Sequence, residues 1–200
     1  MKVYLIRHAR TIANEERRYV GWEDVDLAEE GYLQAERLAS RFQDIHISAL
    51  YSSDLLRAVK TAEALGKGRG IKLERDPALR EIHFGKWEGL TLEEIMLGYD
   101  GEMRKWYENP FQNAPPGGES FRDVAARMGK FITSLTPPGR EGTIVIVSHG
   151  GAIRSILHKY LGLKEKEIWS IHVENTSVSL LQRNGTTFDV IFANDFSHLG

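Results

Sequence analysis

The chain has 200 residues, of which 42% are hydrophobic and 27% charged, and its formal net charge is −2 at pH 7. These values are typical of one compact domain over residues 1–200, and the near-neutral charge argues against broad nucleic-acid affinity. The sequence contains no cysteine, which excludes disulfides, thiolate nucleophiles and cysteine-based metal sites. No apolar run has the length of a membrane span and the start lacks a signal-peptide pattern, so we expect a cytoplasmic protein without membrane partners.

Short apolar runs alternate with helical periodicity through the first half of the chain. Residues 2–6 predict a buried strand, which ends in charge. The elements predicted next are a helix at 29–42, a strand at 47–51, a helix at 55–66 and a strand at 71–74. Residues 11–26 are polar and irregular. Any of Ser52, Ser53 and Asp54 is suited to cap the helix at 55–66.

The second half of the chain also alternates strands with helices. It ends with two predicted strands in which apolar and polar residues alternate. After a polar and aromatic loop at 78–89, the predicted elements are short helices at 91–98 and 101–108, a helix at 121–135, a strand at 143–147, a helix at 152–161, and strands at 173–183 and 186–193. Asn184-Gly185 between the last two strands is a strong hairpin signal. The pattern predicts an α/β fold whose final hairpin forms an antiparallel edge.

Charged side chains lie at the ends of the predicted strands rather than along helix faces. Arg7 and His8 end the first strand. Arg57 lies in the first turn of the helix after the second strand, and His149 follows strand 143–147. Side chains at the carboxyl edge of one sheet meet in one pocket, and arginine forks match phosphate oxygens. The pattern therefore indicates an anion or phosphate site, while the arginines would repel a metal cation.

A histidine surrounded by arginines has the chemistry of a nucleophile. Nearby positive charge lowers the pKa of His8, and a neutral imidazole can attack phosphorus to form phosphohistidine. Asn14 offers a neutral donor, and the helix after His149 points its first N–H groups toward an anion. Glu81 is the candidate for the proton that the leaving oxygen needs, because it lies in a loop with apolar neighbours. Glu88 is the alternative.

Short motifs punctuate the chain from residue 3 to about residue 155. In order, they are Arg7-His8-Ala9-Arg10-Thr11 with Asn14, Gly21-Trp22 through Asp26-Leu27, Gly31 with Gln34-Ala35, Ser53-Asp54-Leu55-Leu56-Arg57-Ala58 with Thr61-Ala62, Leu79-Arg80-Glu81 leading to Gly85 and Trp87-Glu88-Gly89, Gly117-Gly118-Glu119-Ser120, and Ser148-His149-Gly150. This ordered series resembles the histidine phosphatase superfamily, the phosphoglycerate-mutase-like fold. Any one motif is weak by itself, and the series is highly specific.

The resemblance implies a fold and a chemistry. The implied fold is a three-layer α/β/α sandwich with a mostly parallel central sheet and an antiparallel edge. The implied reaction passes through phosphohistidine, needs no cofactor and no metal, and takes a small-molecule phosphate ester. The same resemblance implies catalytic roles for Arg7, His8, Arg57, Glu81 and His149, and substrate-binding positions at Asn14, Gly21 and Gly150.

Two residues depart from the opening motif of the family. Ala9 stands where the family usually has glycine, and its methyl group is expected to narrow the approach beside His8. Arg10 stands where the family has an acid or an amide. We predict that Arg10 lies at the pocket mouth among the substrate-binding residues and attracts anions. The same departures leave a non-catalytic phosphate-binding protein as an alternative function.

Within the family, two segments point to a substrate class. Residues 81–85 and 116–120 look like those of bacterial α-ribazole-phosphate phosphatases of cobalamin synthesis, and also like those of broad-specificity phosphatases. Phosphoglycerate mutases are similar at 21–27 but carry a longer insertion with extra basic residues, whereas 89–117 is short here. We expect a phosphomonoesterase, with a mutase as the alternative.

The role of the aromatic residues at 87–111 and the oligomeric state each have two possible interpretations in the sequence. Four aromatic residues either stack on the substrate or pack the loop onto the core. They are Trp87, Trp106, Tyr107 and Phe111. The edge hairpin can pair with another copy without requiring it, so we expect a monomer or a homodimer.

Overall fold

Six strands and six α-helices make up the fold in a computed structural model, which describes residues 1–137 and 139–200. The strands are β1 (Lys2–Arg7), β2 (Ala49–Ser52), β3 (Leu73–Arg75), β4 (Thr143–Ser148), β5 (Val178–Asn184) and β6 (Thr187–Asp195). The helices are α1 (Ile12–Glu15), α2 (Glu29–Arg41), α3 (Leu56–Gly66), α4 (Leu92–Glu108), α5 (Phe121–Leu135) and α6 (Gly150–Leu161). Within this described part of the chain, no helix combines the length and apolar character that a membrane crossing requires.

The six strands form one sheet in the order β3-β2-β4-β1-β5-β6. β3, β2, β4 and β1 are parallel neighbours, whereas β5 is antiparallel to both β1 and β6. The mostly parallel sheet with an antiparallel edge is therefore confirmed. In the pairing of β1 with β4, Arg7 lies opposite Ser148. The residues that follow these two strands consequently emerge together at one edge of the sheet.

Helices cover both faces of the sheet, which confirms the three-layer α/β/α architecture. Successive residues of a strand point to opposite faces, and Leu5 and Ile6 of β1 accordingly belong to different apolar clusters. The Leu5 cluster contains side chains of α4, α5 and α6, such as Val124. The Ile6 cluster contains Leu38 of α2 and Ala62 of α3. The apolar stripes of these helices are thereby buried against the sheet.

The loop after β1 and the helix α4 differ from the prediction. The segment predicted to be irregular contains α1, which begins with a capping box between Thr11 and Asn14. The helices predicted at 91–98 and 101–108 are one helix, α4, with non-helical backbone at Tyr99 (φ −141°, ψ 31°). Both glycines near this point, at 98 and 101, have low helix propensity, which permits the kink.

The final hairpin is displaced by one residue from its predicted position. Asn184 pairs with Thr187, so the turn consists of Gly185 and Thr186, and Gly185 supplies the positive φ of 57°. β5 begins at Val178 rather than at 173, because the chain before it turns toward the end of β1. The other predicted elements are confirmed to within two residues at their ends.

A remote carboxylate caps α3. Leu55 occupies the N-cap position and makes no side-chain cap. Oδ1 of Asp24 accepts the N–H of Leu56 at 2.7 Å, whereas Oγ of Ser53 accepts only the N–H of Leu55, ahead of the helix. The prediction that a residue of 52–54 caps this helix is therefore wrong, because the loop at 24 folds back over the helix start.

Candidate active site

His8 and His149 lie side by side at the carboxyl edge of the sheet. The N–H of His8 donates to the carbonyl of Ser148 at 2.9 Å, so the β1–β4 ladder continues to the first histidine. The ring centroids are 5.1 Å apart, and both side chains are buried. The structure thus brings the two predicted strand ends together, because β1 and β4 are adjacent parallel strands in matching register.

The imidazole of His8 is held in one tautomer by the neighbouring backbone. Its Nδ1 lies 2.7 Å from the carbonyl oxygen of Ala9. Since a carbonyl only accepts, the neutral ring carries its proton on Nδ1 and keeps its lone pair on Nε2. Burial lowers the pKa of His8 well below its ordinary value, and the charges of Arg57 and Arg7 lower it further. At neutral pH, His8 therefore has the form that a nucleophile requires.

Arg57 fixes the opposite tautomer in His149. Its Nε donates to Nδ1 of His149 at 3.2 Å, and its terminal nitrogens donate to the carbonyls of Gly21 (2.7 Å) and Glu23 (2.9 Å). The proton of His149 is therefore on Nε2. Desolvation lowers the pKa of Arg57 to about 10, so the guanidinium stays charged at neutral pH. Burial and the charge of Arg57 lower the pKa of His149 well below its ordinary value.

Two buried N–H groups near His8 have no acceptor in the part of the chain that the structure describes. They are Nε of Arg7 and Nε2 of His149. Arg7 is anchored through Nη1, which donates to the carbonyl of Val173 at 2.7 Å, and burial lowers its pKa. An unsatisfied buried donor costs about 1–3 kcal/mol. Two such donors next to a neutral imidazole mark a place where an anionic oxygen would be bound.

Glu81 lies across the N-terminus of α6. Its Oε2 accepts the N–H of Gly151 at 2.9 Å, and its Oε1 accepts those of Ala152 (2.9 Å) and Ile82 (2.8 Å). The expectation that the helix after His149 offers these N–H groups to a bound anion is therefore wrong for residues 151 and 152. The helix N-terminus instead positions the carboxylate that we predicted as proton donor.

Glu88, the alternative proton donor, organises a loop. Its carboxylate accepts the N–H groups of Gly21 (2.8 Å), Trp22 (3.0 Å) and Phe84 (2.9 Å). Gly21 is so closely packed that a Cβ atom there would lie 2.0 Å from a carbonyl oxygen. The Gly21 carbonyl accepts a hydrogen bond from Arg57, so Gly21 helps to position this guanidinium in the wall of the active-site cavity. Gly21 itself is not among the described residues that line the cavity, so this geometry does not support its predicted place as a substrate contact.

Two asparagines complete the polar wall beside His8. Oδ1 of Asn14 accepts the N–H of Thr11 (3.1 Å) and the amide of Asn175 (3.2 Å). The Asn14 amide nitrogen donates to no acceptor within the described part of the chain, so it can donate to a ligand. The amide of Asn175 also donates to the carbonyl of His8 at 3.0 Å. Sequence reasoning missed Asn175, because no motif surrounds it and only the pairing of β5 with β1 brings it here.

Several of these groups line a cavity of about 400 Å³, which we call the phosphoryl cavity. His149 and Glu88 are not among the described residues that line it. Of the residues predicted from sequence, its lining contains Arg7, His8, Asn14, Arg57 and Glu81. It also contains side chains that sequence reasoning missed, among them Thr11, Arg17, Arg18, Tyr19 and Asn175. With four arginines and one carboxylate among its described lining residues, the cavity attracts anions. The basic pair at 17–18 in the polar segment was the available signal.

The chain has counterparts among known proteins. A family model described as the histidine phosphatase superfamily (branch 1) matches residues 3–195. The chain belongs to the histidine phosphatase superfamily. It is accordingly an enzyme of the phosphatase class, as predicted from the motif series.

Known proteins and solved structures align with nearly the whole chain. Phosphoserine phosphatase 1 of Hydrogenobacter thermophilus is 32% identical over 200 residues, which cover 100% of this chain and 95% of that protein. The solved structure of Bacillus stearothermophilus YhfR is 35% identical, covers 100% of this chain and 99% of its own, and has a TM-score of 0.94. The alpha-ribazole phosphatase from Shigella flexneri is 26% identical, with coverages of 98% and 97% and a TM-score of 0.88.

The two departures from the histidine phosphatase motif lie outside the phosphoryl cavity. Ala9 is fully buried in a small apolar cluster with Leu27 and Ala35. We expected its methyl group to narrow the approach to His8, and this burial contradicts that expectation. Nε of Arg10 lies 3.5 Å from Oε1 of Glu15, and the Arg10 side chain is 45% exposed. Arg10 is also not among the described residues that line the phosphoryl cavity, so the structure does not support its predicted place at the pocket mouth.

The remaining predicted residues divide between the core and a neighbouring cavity. Gly150 packs against Arg7, since a Cβ atom there would lie 3.3 Å from the Arg7 Nε. Trp87 and Phe111 are buried in the main core, which confirms packing for these two. Trp106 and Tyr107 line the second cavity that adjoins the first.

Proposed function

We propose that the protein is a phosphomonoesterase that hydrolyses small-molecule phosphate esters through a phosphohistidine at His8. The observation that carries the proposal is the pair of unsatisfied buried donors, Nε of Arg7 and Nε2 of His149, near an imidazole whose Nε2 keeps its lone pair. Such donors suit the nonbridging oxygens of a phosphoryl group, and Arg57 adds fixed positive charge.

In the first proposed step, Nε2 of His8 forms a bond to phosphorus while the ester P–O bond breaks. Glu81 gives its proton to the departing alcohol oxygen. Arg7, Arg57 and His149 stabilise the charge on the transferring group, which is the main contribution that a protein makes to phosphoryl transfer.

In the second proposed step, water attacks the phosphorus and the N–P bond breaks. The electron pair returns to Nε2 of His8, and Glu81 takes back from water the proton that it gave. Inorganic phosphate is released. The hydrogen bond from Nδ1 to the carbonyl of Ala9 keeps the imidazole in the same tautomer at the start of each turnover.

The alcohol part of the substrate is a finer proposal that rests on resemblance. The groups described so far engage only the phosphoryl moiety, so they support hydrolysis of phosphate monoesters as a class. α-Ribazole 5′-phosphate, a substrate of cobalamin synthesis, is one candidate because of the segments 81–85 and 116–120. Phosphoserine is another, because a relative of 32% identity has that substrate in its name.

Hydrolysis of 4-nitrophenyl phosphate by the wild type and by His8→Ala tests the proposed reaction. We expect turnover in the wild type and a loss of about 10³-fold or more in the variant, because the proposed covalent step depends on the His8 imidazole. His46→Ala is the matched control, since His46 is exposed and lies outside the site. Mass spectrometry of the quenched wild type should place a phosphoryl group on the peptide that contains His8.

Two other outcomes separate the alternatives. Equal background hydrolysis by the wild type and His8→Ala would leave a non-catalytic phosphate-binding protein. Interconversion of 2- and 3-phosphoglycerate with a bisphosphate primer, faster than their hydrolysis, would identify a mutase instead.

A further inference from the structure

A second cavity of about 250 Å³ adjoins the phosphoryl cavity and shares Arg7, Tyr19, Glu81 and Phe84 with it. We call it the aromatic alcove. Its aromatic walls are Tyr19, Phe84, Trp106, Tyr107, Phe121 and Trp169. An ester whose phosphoryl group lies at His8 therefore has an adjoining space, partly walled by the proposed proton donor, for its alcohol part.

Three aromatic walls of the alcove are held by contacts with one another. Nε1 of Trp169 donates to the carbonyl of Tyr107 at 2.8 Å. The rings of these two residues are stacked, with centroids 5.0 Å apart and planes inclined by 7°. Trp106 meets Trp169 edge to face at 5.0 Å. Packed aromatic side chains offer apolar contact at low cost in conformational entropy.

Arg154 of α6 is a charged member of the alcove lining, which also contains Arg7 and Glu81 from the phosphoryl cavity. Its Nε donates to the carbonyl of Ile171 at 2.9 Å, and its guanidinium carbon lies 5.5 Å from the centre of the Trp169 ring. These contacts hold the side chain while its terminal nitrogens make no hydrogen bond within the described residues. None of the ion pairs found among residues 1–137 and 139–200 includes Arg154.

A partly buried guanidinium without a carboxylate partner is an unusual feature, because buried charges are normally paired. The carboxylates that influence it most are Glu81 and Glu174. Glu81 is engaged by three N–H groups of its own loop and of α6, and Glu174 is exposed. The alcove thus combines aromatic walls with the guanidinium of Arg154, which forms no ion pair or terminal-nitrogen hydrogen bond within residues 1–137 and 139–200.

We propose that the aromatic alcove binds the alcohol part of a phosphate ester that carries a carboxylate, and that Arg154 receives this carboxylate through its terminal nitrogens. This assignment rests on the proposed phosphomonoesterase function and specifies its substrate class. A guanidinium fork suits a carboxylate of this size, and the aromatic rings suit an apolar or planar body. A neutral alcohol such as a nucleoside leaves the charge of Arg154 unmatched.

Two isosteric esters test this assignment, 4-carboxyphenyl phosphate and 4-carbamoylphenyl phosphate. The amide has the shape of the carboxylate without its charge. We expect the wild type to prefer the carboxylate ester in kcat/KM, mainly through KM. In Arg154→Met the ratio of the two kcat/KM values should fall about tenfold or more, since a charge-assisted fork is lost. Arg154→Lys should retain part of the preference, and Arg37→Met, an exposed arginine of α2, should retain all of it.

The outcomes distinguish failure of this assignment from failure of the proposed function. If neither ester is hydrolysed by the wild type in a His8-dependent manner, the phosphatase proposal itself is wrong. If both are hydrolysed and folded Arg154→Met keeps the wild-type ratio, the carboxylate site is wrong. Inhibition of the wild type needs no variant: benzoate should compete with substrate at least about tenfold better than benzamide, and equal inhibition would overturn the assignment.

Discussion

Glu81 and Glu88 make matching contacts, and we predict that the same substitution separates their roles. Each carboxylate accepts three backbone N–H groups at 2.8 to 3.0 Å. Only Glu81 is among the residues that line the phosphoryl cavity. We predict that Glu81→Gln and Glu88→Gln lose similar stability, whereas only Glu81→Gln loses most of its turnover.

The expected stability cost follows from the contacts. In Glu88→Gln, the amide oxygen keeps the two N–H groups that Oε1 now accepts, and the new NH₂ group faces the N–H of Gly21. The variant loses one charge-assisted hydrogen bond, worth about 1.5–3 kcal/mol, and leaves donors unpaired at a further cost of roughly 1 kcal/mol. The free energy of unfolding should fall by about 2–4 kcal/mol, and the Tm by 2–4 °C for each kcal/mol. The same count applies to Glu81→Gln, where the NH₂ group faces Gly151.

The expected loss of turnover is specific to the proton donor. Removing a general acid costs about 10²–10⁴ in rate, and the cost is larger for a poor leaving group. We therefore expect kcat/KM of Glu81→Gln to fall further with phenyl phosphate than with 4-nitrophenyl phosphate. For Glu88→Gln, both esters should lose the same small factor, because that change acts through the position of the Gly21 loop.

The turnover of Glu81→Gln and Glu88→Gln is measured at a temperature well below both Tm values, so that both variants are folded during the assay. Equal losses of turnover in the two variants, or a leaving-group dependence in Glu88→Gln, would reverse the assignment. A Glu88→Gln protein with unchanged Tm would refute the hydrogen-bond count itself.

Three further predictions concern residues in and around the site. The pKa values of His8 and His149 are lowered in the folded state. Below about pH 6.5 these two histidines therefore bind protons more readily in the unfolded chain than in the folded protein, which destabilises the fold. The Tm should fall from pH 7.5 to 5.5, and it should fall less in His149→Asn. Gly21→Ala, whose Cβ atom would overlap a carbonyl oxygen, should cost about 1–3 kcal/mol in urea unfolding; Gly98→Ala, with open space around it, should cost nothing, and equal effects would contradict the packing argument. Asn175→Ala should lower kcat/KM about two- to tenfold through its lost hydrogen bonds; an unchanged kcat/KM would show that Asn175 does not support the nucleophile.

The sequence alone determined the elements that carry the site. Apolar runs that stop at charge are local patterns, so the positions of Arg7, His8 and His149 at strand ends were readable without a structure. The series of short motifs added the fold and the mostly parallel sheet. Arg57 was placed correctly for a similar reason, since a short strand, a polar turn and a helix follow one another directly in the chain.

Only the tertiary structure decided which side chains meet and which do other work. Arg57 and His149 are 92 residues apart and touch because β4 lies between β2 and β1. The same long-range packing brings in Asn175 and Arg154, and it turns Arg10 outward. Hydrogen-bond partners and side-chain directions depend on contacts between distant segments, which local periodicity does not encode.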